Sequence, residues 1–384
     1  MAEAATTTAS VSALATPRNA DTVAWCPYEA RTHLLACGCY ELDDSEKPPR
    51  RHGHLALLAV SPGGDGLKEL SSVADTGVLD CAWLPQTSAD MPALLAAATS
   101  DCDARLYALA GDAEQHNFSL GEACATMPCA DAGDACMALE WGPDNAGVPR
   151  RLALCSTTGQ IYVGELSGAA GAASGLRLLT SWQAHDLEGW AVAFAPGDAS
   201  TLYTGADDAQ LKRWDLRCAL DDGAEPVATA SNRRSHRAGV CCISPSPARE
   251  HLIATGSYDE TARLWDARQL KAPLSEAECG GGVWRLKWHP VRQELLLAAC
   301  MHAGFAVLRA PMEGGDANDG AATGELAVVA RYEEHGMGAA LGYGADWSHA
   351  PSLNAHDAVL AATCSFYDRA LHVWKYSERD EAPD

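Results

Sequence analysis

One pattern recurs seven times along this chain: an alternating apolar stretch that ends in an aromatic or apolar residue, one spacer, and usually proline. It reads VAWCP at Trp25, DCAWLP at Trp83, ALEWGP at Trp141, AVAFAP at Phe194, VCCISP at Ile243, RLKWHP at Trp288 and GADWSH at Trp347. A second short stretch follows each time: LLACGC, LLAAAT, LALCST, LYTGAD, LIATGS, LLLAAC and LAATCS. A turn and a third stretch come next, most plainly in DAQLKRWDLR and DETARLWDAR. Period-two alternation broken by turn residues is the mark of antiparallel sheet, and no stretch sustains a helical period. Seven units of four strands closed around an axis leave few exposed edges. The repeat averages roughly 55 residues, a little more than a usual propeller blade. The excess lies in the polar loops ELDDSEKPPRRHGH, SGAAGAASG and PMEGGDANDGAAT.

The expected fold is therefore all-β, a single seven-bladed propeller over residues 20–376. Its blades fall near 21–62, 77–110, 135–168, 188–217, 238–268, 281–310 and 342–376. Residues 1–19 form an N-terminal tail, in which 6–14 is a candidate strand to complete the last blade, and 377–384 form an acidic C-terminal tail.

Composition narrows the function. With 47% hydrophobic and 21% charged residues the chain is of a folding kind. No apolar run is long enough to span a bilayer, and the N-terminus lacks the basic flank and apolar stretch of a secretory signal. A net charge of −23 argues against a nucleic-acid partner and favours a cationic one. Half of the fifteen cysteines sit in strand-like apolar runs, which reads as buried, reduced thiols and a cytoplasmic protein. His52 and His54 stand in a polar loop without cysteine neighbours, so no metal site and no cofactor are expected. Nucleophile elbows, phosphate-cradling glycine loops and zinc-binding His-Glu-x-x-His helices are absent from the sequence.

The segment SHRAGVCCISPSPAREHLIATGSYDETARLWDAR resembles the WD-repeat family from its histidine to its Trp-Asp pair. That resemblance implies an internal hydrogen-bond network of His236, Thr255, Asp259 and Trp265, with His185, Thr204, Asp208 and Trp214 in the same places one blade earlier. These eight residues are read as structural, since a satisfied buried polar network specifies register.

Registering the blades on those positions isolates the sixth. There His302 replaces the aspartate and Leu308 the tryptophan. Counting back from the landmark aromatic that precedes the spacer and proline, Trp284 aligns with Trp190 and Tyr343, against Asp21, Leu79, Met137 and Gly239 in the other blades. Tyr258 and Tyr367, just before the aspartate position, belong to turns on the same face. The five aromatics are expected to gather over one half of the channel mouth as a binding surface.

The segments ADTVAWCP, HLLACGCYEL, SWQAH, GGVWRLKWHP, LLLAACMHAGF, YGADWS and LAATCSFYDRALHVW resemble one WD-repeat family in particular, the diphthine methyl ester hydrolases. The resemblance runs from about Ala20 to Trp374, is weak in blades two and three, and fails in the loops. It implies an esterase acting on translation elongation factor 2, whose modified histidine carries a trimethylammonium beside a methyl ester. A quaternary ammonium donates no hydrogen bond and is held by aromatic faces, so Trp190, Trp284 and Tyr343 are expected to form its cage. Ester hydrolysis needs a base or nucleophile and a donor for the oxyanion. His302 is the candidate base, Arg285 the candidate oxyanion donor, Cys300 a candidate nucleophile and Asp346 an orienting carboxylate. Asp368 reads as the structural aspartate of blade seven.

A second reading is a substrate adaptor of a cullin-based ubiquitin ligase. The boxes WDLR and WDAR, with Arg217 and Arg268, fit the Trp-Asp-x-Arg pattern of receptors that dock on the ligase's own propeller adaptor. A non-catalytic module that only binds the elongation factor is a third.

Overall fold

In the computed structural model the described residues are 5–61, 65–86, 91, 93–112, 117–129, 133–167, 175–311, 325–336, 340–350 and 358–379. They form seven antiparallel sheets of four strands, the second with a short extra strand at Ser119–Leu120. The innermost strands are Asn19–Trp25, Val78–Trp83, Cys136–Pro143, Gly189–Phe194, Val240–Pro245, Arg285–Trp288 and Gly342–Trp347. Each packs on the next, and the seventh packs on the first, so the circuit closes as the repeat predicts. Seven apolar clusters fill the seven clefts between adjacent blades, one per cleft.

The recurring aromatic before proline has a physical task. The indole N–H groups of Trp83, Trp141, Trp288 and Trp347 reach the preceding blade, donating to the carbonyls of Ala24, Ala82, Ser244 and Lys287 at 3.0–3.1 Å. A buried tryptophan thus supplies apolar area and a lace to its neighbour, the bond alone contributing about 0.5–1.5 kcal/mol net. The ring is sealed by the N-terminus: strand Ala5–Ala15 is the fourth strand of the last blade, paired with Ala370–Arg379. Its Thr6 and Thr8 hydroxyls donate to the Val329 and Arg331 carbonyls of blade six.

The internal network is complete in blade four. The Thr204 hydroxyl accepts from Trp214 Nε1 at 2.8 Å and lies 2.7 Å from His185 Nε2, while His185 Nδ1 faces the Asp208 carboxylate at 3.0 Å. Blade five departs from the expectation. His236 and Trp265 meet on Thr255, but Asp259 is held by the buried Arg263 at 2.9 Å, leaving His236 Nδ1 without a partner. A third network, not anticipated as a set, joins His335, Thr363, Ser365, Asp368 and Trp374 in blade seven. In blade six Leu308 is fully buried and packs with Ala298 in an apolar cluster. Replacing both sides of a polar contact by apolar groups is nearly neutral, whereas losing one partner is costly.

One expected loop is largely strand. Leu34–Asp43 and Arg50–Val60 pair through the whole of the His52–His54 region, so the two histidines, two positions apart, lie on the same face of the sheet. His54 is buried without a hydrogen-bond partner among the described residues, and His52 meets Glu46 at the surface. The loops SGAAGAASG and PMEGGDANDGAAT lie mostly outside the described residues, as do 1–4 and 380–384. No helix among the described residues is long and apolar enough to cross a membrane.

Candidate functional site

The site begins with an irregularity repeated around the ring. In six blades the innermost strand carries a bulge against its neighbour, at Asp21, Leu79, Met137, Trp190, Cys241 and Tyr343. Trp284 stands at the same level, one position before the paired Arg285. A bulge re-aims a side chain out of the alternation, and here it presents one residue per blade at the channel mouth. Cys241, not Gly239, is the blade-five member: Pro245 pairs with Ile253 as Trp25 pairs with Leu35, so the landmark proline of that blade is Pro247.

The aromatics of this level and the adjoining turns form one connected cluster. Trp284 is its centre, with ring centroids 5.2 Å from Trp190, 5.8 Å from Tyr258 and 5.0 Å from Tyr343. Tyr343 continues to Phe366 at 5.6 Å, and Phe366 to Tyr367 at 5.2 Å and to Tyr40 at 5.0 Å. Sequence reasoning missed Phe366 and Tyr40, which sit in a turn and within the second strand of blade one. The rings of Trp190, Tyr258 and Trp284 touch one another edge to face, so they make a packed aromatic wall and not an open box. Tyr367, 64% exposed, is its outermost member.

Asp21 stands beyond Tyr343 on the next blade. It is buried, and among the described residues its carboxyl accepts no hydrogen bond. Burial raises its pKa to about 8, against the pull of Arg285 and, more weakly, Arg51, with Asp80 pushing the same way as burial. Its charge is felt by the Tyr40, Tyr258 and Tyr343 phenols, all pushed up chiefly by burial.

One step down the channel lie Arg285 and Asp80, from blades six and two, paired at 2.8 Å. Asp80 also accepts from the Thr22 hydroxyl and from the backbone N–H of Cys81 and Leu139. Its carboxylate raises the already high pKa of Arg285 against the opposing burial, so the guanidinium stays charged. Among the described residues two buried donors remain unpartnered here, Arg285 Nε and Trp190 Nε1. Both residues line a chamber of about 110 Å³ with Met137, Glu140, Trp284 and Lys287. Glu140 is raised to about 8 by burial, with Lys287 opposing. At the far mouth the channel widens into a space of about 1390 Å³ that includes Asp346 and His349.

The structure does not assemble the four expected catalytic groups. Cys300 is fully buried in the cleft between blades five and six, and the neighbouring Cys279 thiol and burial push its pKa up. Asp346 laces blade seven to blade one, accepting the Trp25 N–H at 2.7 Å, and opens on the far mouth. His302 is exposed in a tight turn whose Met301 has φ 44° and whose Gly304 has φ 72°. It borders Phe305, Glu333 and His335, and among the described residues its ring stacks on none of the wall aromatics. Of the four, only Arg285 adjoins the aromatics, lining the chamber with Trp190 and Trp284 one step below the mouth. Met301, by contrast, turns inward, and its carbonyl accepts the Gly342 N–H at 3.1 Å.

Arg217 and Arg268 are exposed at the ends of the third strands of blades four and five, on the opposite face, each paired with the aspartate of its own box. Among the described residues Asp43, Glu46 and His52 bring three potential metal-ligand atoms within 4.8 Å, at the surface of blade one.

Comparison with known proteins agrees with this architecture. A family model described as "WD domain, G-beta repeat" matches residues 226–266. The chain is similar to a Mus musculus protein named diphthine methyltransferase, 35% identical, over 88% of this chain and 69% of that one. A Homo sapiens protein of the same name is 33% identical over 87% and 73%. Among solved structures, Sqt1 from Chaetomium thermophilum superposes with a TM-score of 0.66 at 14% identity, covering 98% of this chain and 100% of that one. A chain of a mitotic checkpoint complex superposes at 0.65 and 15% identity, covering 97% and 96%. These last two likenesses concern the fold alone.

Proposed function

The chain belongs to the family of proteins named diphthine methyltransferase, and on that footing we propose that it hydrolyses the methyl ester of methylated diphthine on translation elongation factor 2, releasing methanol. The substrate side chain carries a trimethylammonium and, on the same carbon, the ester. The cation rests on the half-buried aromatic wall of Trp190, Tyr258, Trp284 and Tyr343, in a strongly acidic molecule. Each cation–π contact contributes about 0.5–2 kcal/mol.

The observation that carries the reading is the pair of buried, unpartnered donors at Arg285 Nε and Trp190 Nε1. A buried donor without a partner costs about 1–3 kcal/mol, a cost that a bound oxyanion removes. Donors fixed in advance and aimed at developing charge are the largest single source of catalysis in acyl transfer. Arg285 is locked by Asp80, so its remaining N–H cannot swing away. The chamber beneath the wall, about 110 Å³, is well below the ~300–1000 Å³ of pockets for drug-sized ligands. It suits a small ester group.

The test is direct. The purified chain, with no methyl donor present, is incubated with elongation factor 2 carrying the ester, and mass spectrometry follows the modified histidine. Loss of one methyl group at a rate proportional to the chain's concentration supports hydrolysis. No loss, or loss only with a methyl donor or acceptor added, contradicts it.

A further inference from the structure

Three carboxylates stand on the innermost strands of blades one, two and seven, and two of them have structural tasks. Asp80 and Asp346 each accept a backbone N–H from the following blade, from Leu139 and Trp25 respectively. Asp21 accepts none among the described residues, although it is only 4% exposed. Its carboxyl oxygens are not among the fully enclosed polar atoms, so the little surface that Asp21 keeps lets them reach water. Asp21 occupies the bulge level that carries Trp190, Trp284 and Tyr343 on other blades, so the level that holds the substrate's cation is continued by a carboxyl.

We propose that Asp21 is the general base of the hydrolysis, drawing a proton from the water that attacks the ester carbonyl at the channel mouth. The proposal rests on the hydrolase reading above. The charged and titratable groups facing Asp21 are Arg285, Asp80 and Arg51, together with the phenols of Tyr40, Tyr258 and Tyr343. Before substrate binds, burial holds the carboxyl protonated up to about pH 8. A quaternary cation arriving beside it favours the charged form, so substrate binding releases that proton to solvent and arms the base. The carboxylate then takes a proton from water, and the hydroxide oxygen bonds to the ester carbon. The oxyanion is met by Arg285 Nε–H and Trp190 Nε1–H. Collapse breaks the bond to the methoxy oxygen, which takes the proton from Asp21 and leaves as methanol. The product is a carboxylate, whose proton goes to solvent.

The full chain is assayed first on elongation factor 2 bearing the ester. An inactive wild type would sink the hydrolase reading and this base with it. With wild type active, Asp21→Asn is expected to lower kcat by ~10²–10⁴-fold, with KM and melting temperature little changed. Turnover of Asp21→Asn within about threefold of wild type overturns Asp21 alone and leaves the hydrolase reading standing. Asp21→Ala guards against a merely structural loss, because added formate is expected to restore part of its rate in proportion to formate concentration. A folded Asp21→Ala that formate does not rescue overturns the proposal. A third readout is the pH profile of wild-type kcat/KM, expected to rise between about pH 6 and 9. A flat profile overturns it.

Discussion

Arg285 Nη1 and Asp80 Oδ1 lie 2.8 Å apart although 205 positions separate them in the chain. The pair spans the channel from blade six to blade two and forms the floor on which the aromatic wall stands. Both side chains are largely buried. Breaking such a pair by removing one partner costs about 3–5 kcal/mol, while replacing both by apolar groups is often neutral. Asp80→Ala is therefore expected to lower the melting temperature markedly, and the double variant Asp80→Ala/Arg285→Met to recover much of it without recovering ester hydrolysis. A double variant that is stable and active would detach the pair from catalysis.

Trp190 offers a way to separate the ring from its N–H. Trp190→Phe keeps an aromatic face but deletes the unpartnered donor, so kcat should fall by roughly 10- to 100-fold while KM moves little. Steady-state kinetics on the ester-bearing elongation factor reads the split. A rise in KM with kcat intact would place Trp190 in cation binding only.

Trp284 touches three of the other aromatics and so anchors the wall. Trp284→Ala should raise KM by about 2- to 30-fold, corresponding to the ~0.5–2 kcal/mol of a cation–π contact. An unchanged KM would remove the wall from substrate binding.

His302 carries the opposite expectation. It is exposed in a turn and its ring meets none of the wall aromatics among the described residues, so His302→Ala should leave turnover within about twofold. A loss comparable to that of Asp21→Asn would return the base to blade six.

Stability should peak near pH 6.5. Asp21 and Glu140 are raised to about 8, so between that pH and their unfolded values near 4 the folded state binds more protons. Their contribution grows as pH falls through 8. His236 is lowered to about 3, and His289 and His372 to about 4, mainly by burial. Below about 6.5 the unfolded chain takes up the protons these histidines refuse, and stability falls. Urea unfolding at pH 5, 6.5 and 8.5 checks both limbs, and Asp21→Asn should flatten the alkaline one. A monotonic profile from 5 to 8.5 would contradict the assignment.

Much of the fold was legible because each landmark residue has a local task. The tryptophan before proline laces blades, and the His-Thr-Trp sets close within a blade, so both recur at fixed spacing. Blade five misled because Pro245 and Pro247 both fit the landmark, and only strand pairing chooses between them. The rim aromatics were visible as a level, yet Asp21 on that level stood out only once its lack of hydrogen bonds was known. His302 aligned with a structural aspartate, but alignment gives a position and not the direction of a side chain. The contact of Arg285 with Asp80 crosses the ring and leaves no local trace in sequence. Nor do the two unpartnered N–H groups, since satisfaction is a property of the packed interior.

The most direct test of the account is to run the reaction in ¹⁸O-labelled water and weigh both products. Attack at the ester carbonyl, with the oxyanion met by Arg285 and Trp190, places one ¹⁸O in the diphthine carboxylate and leaves the methanol unlabelled. Label in the methanol and none in the carboxylate would mean attack at the methyl carbon, the chemistry of a methyl transferase, and would contradict the account.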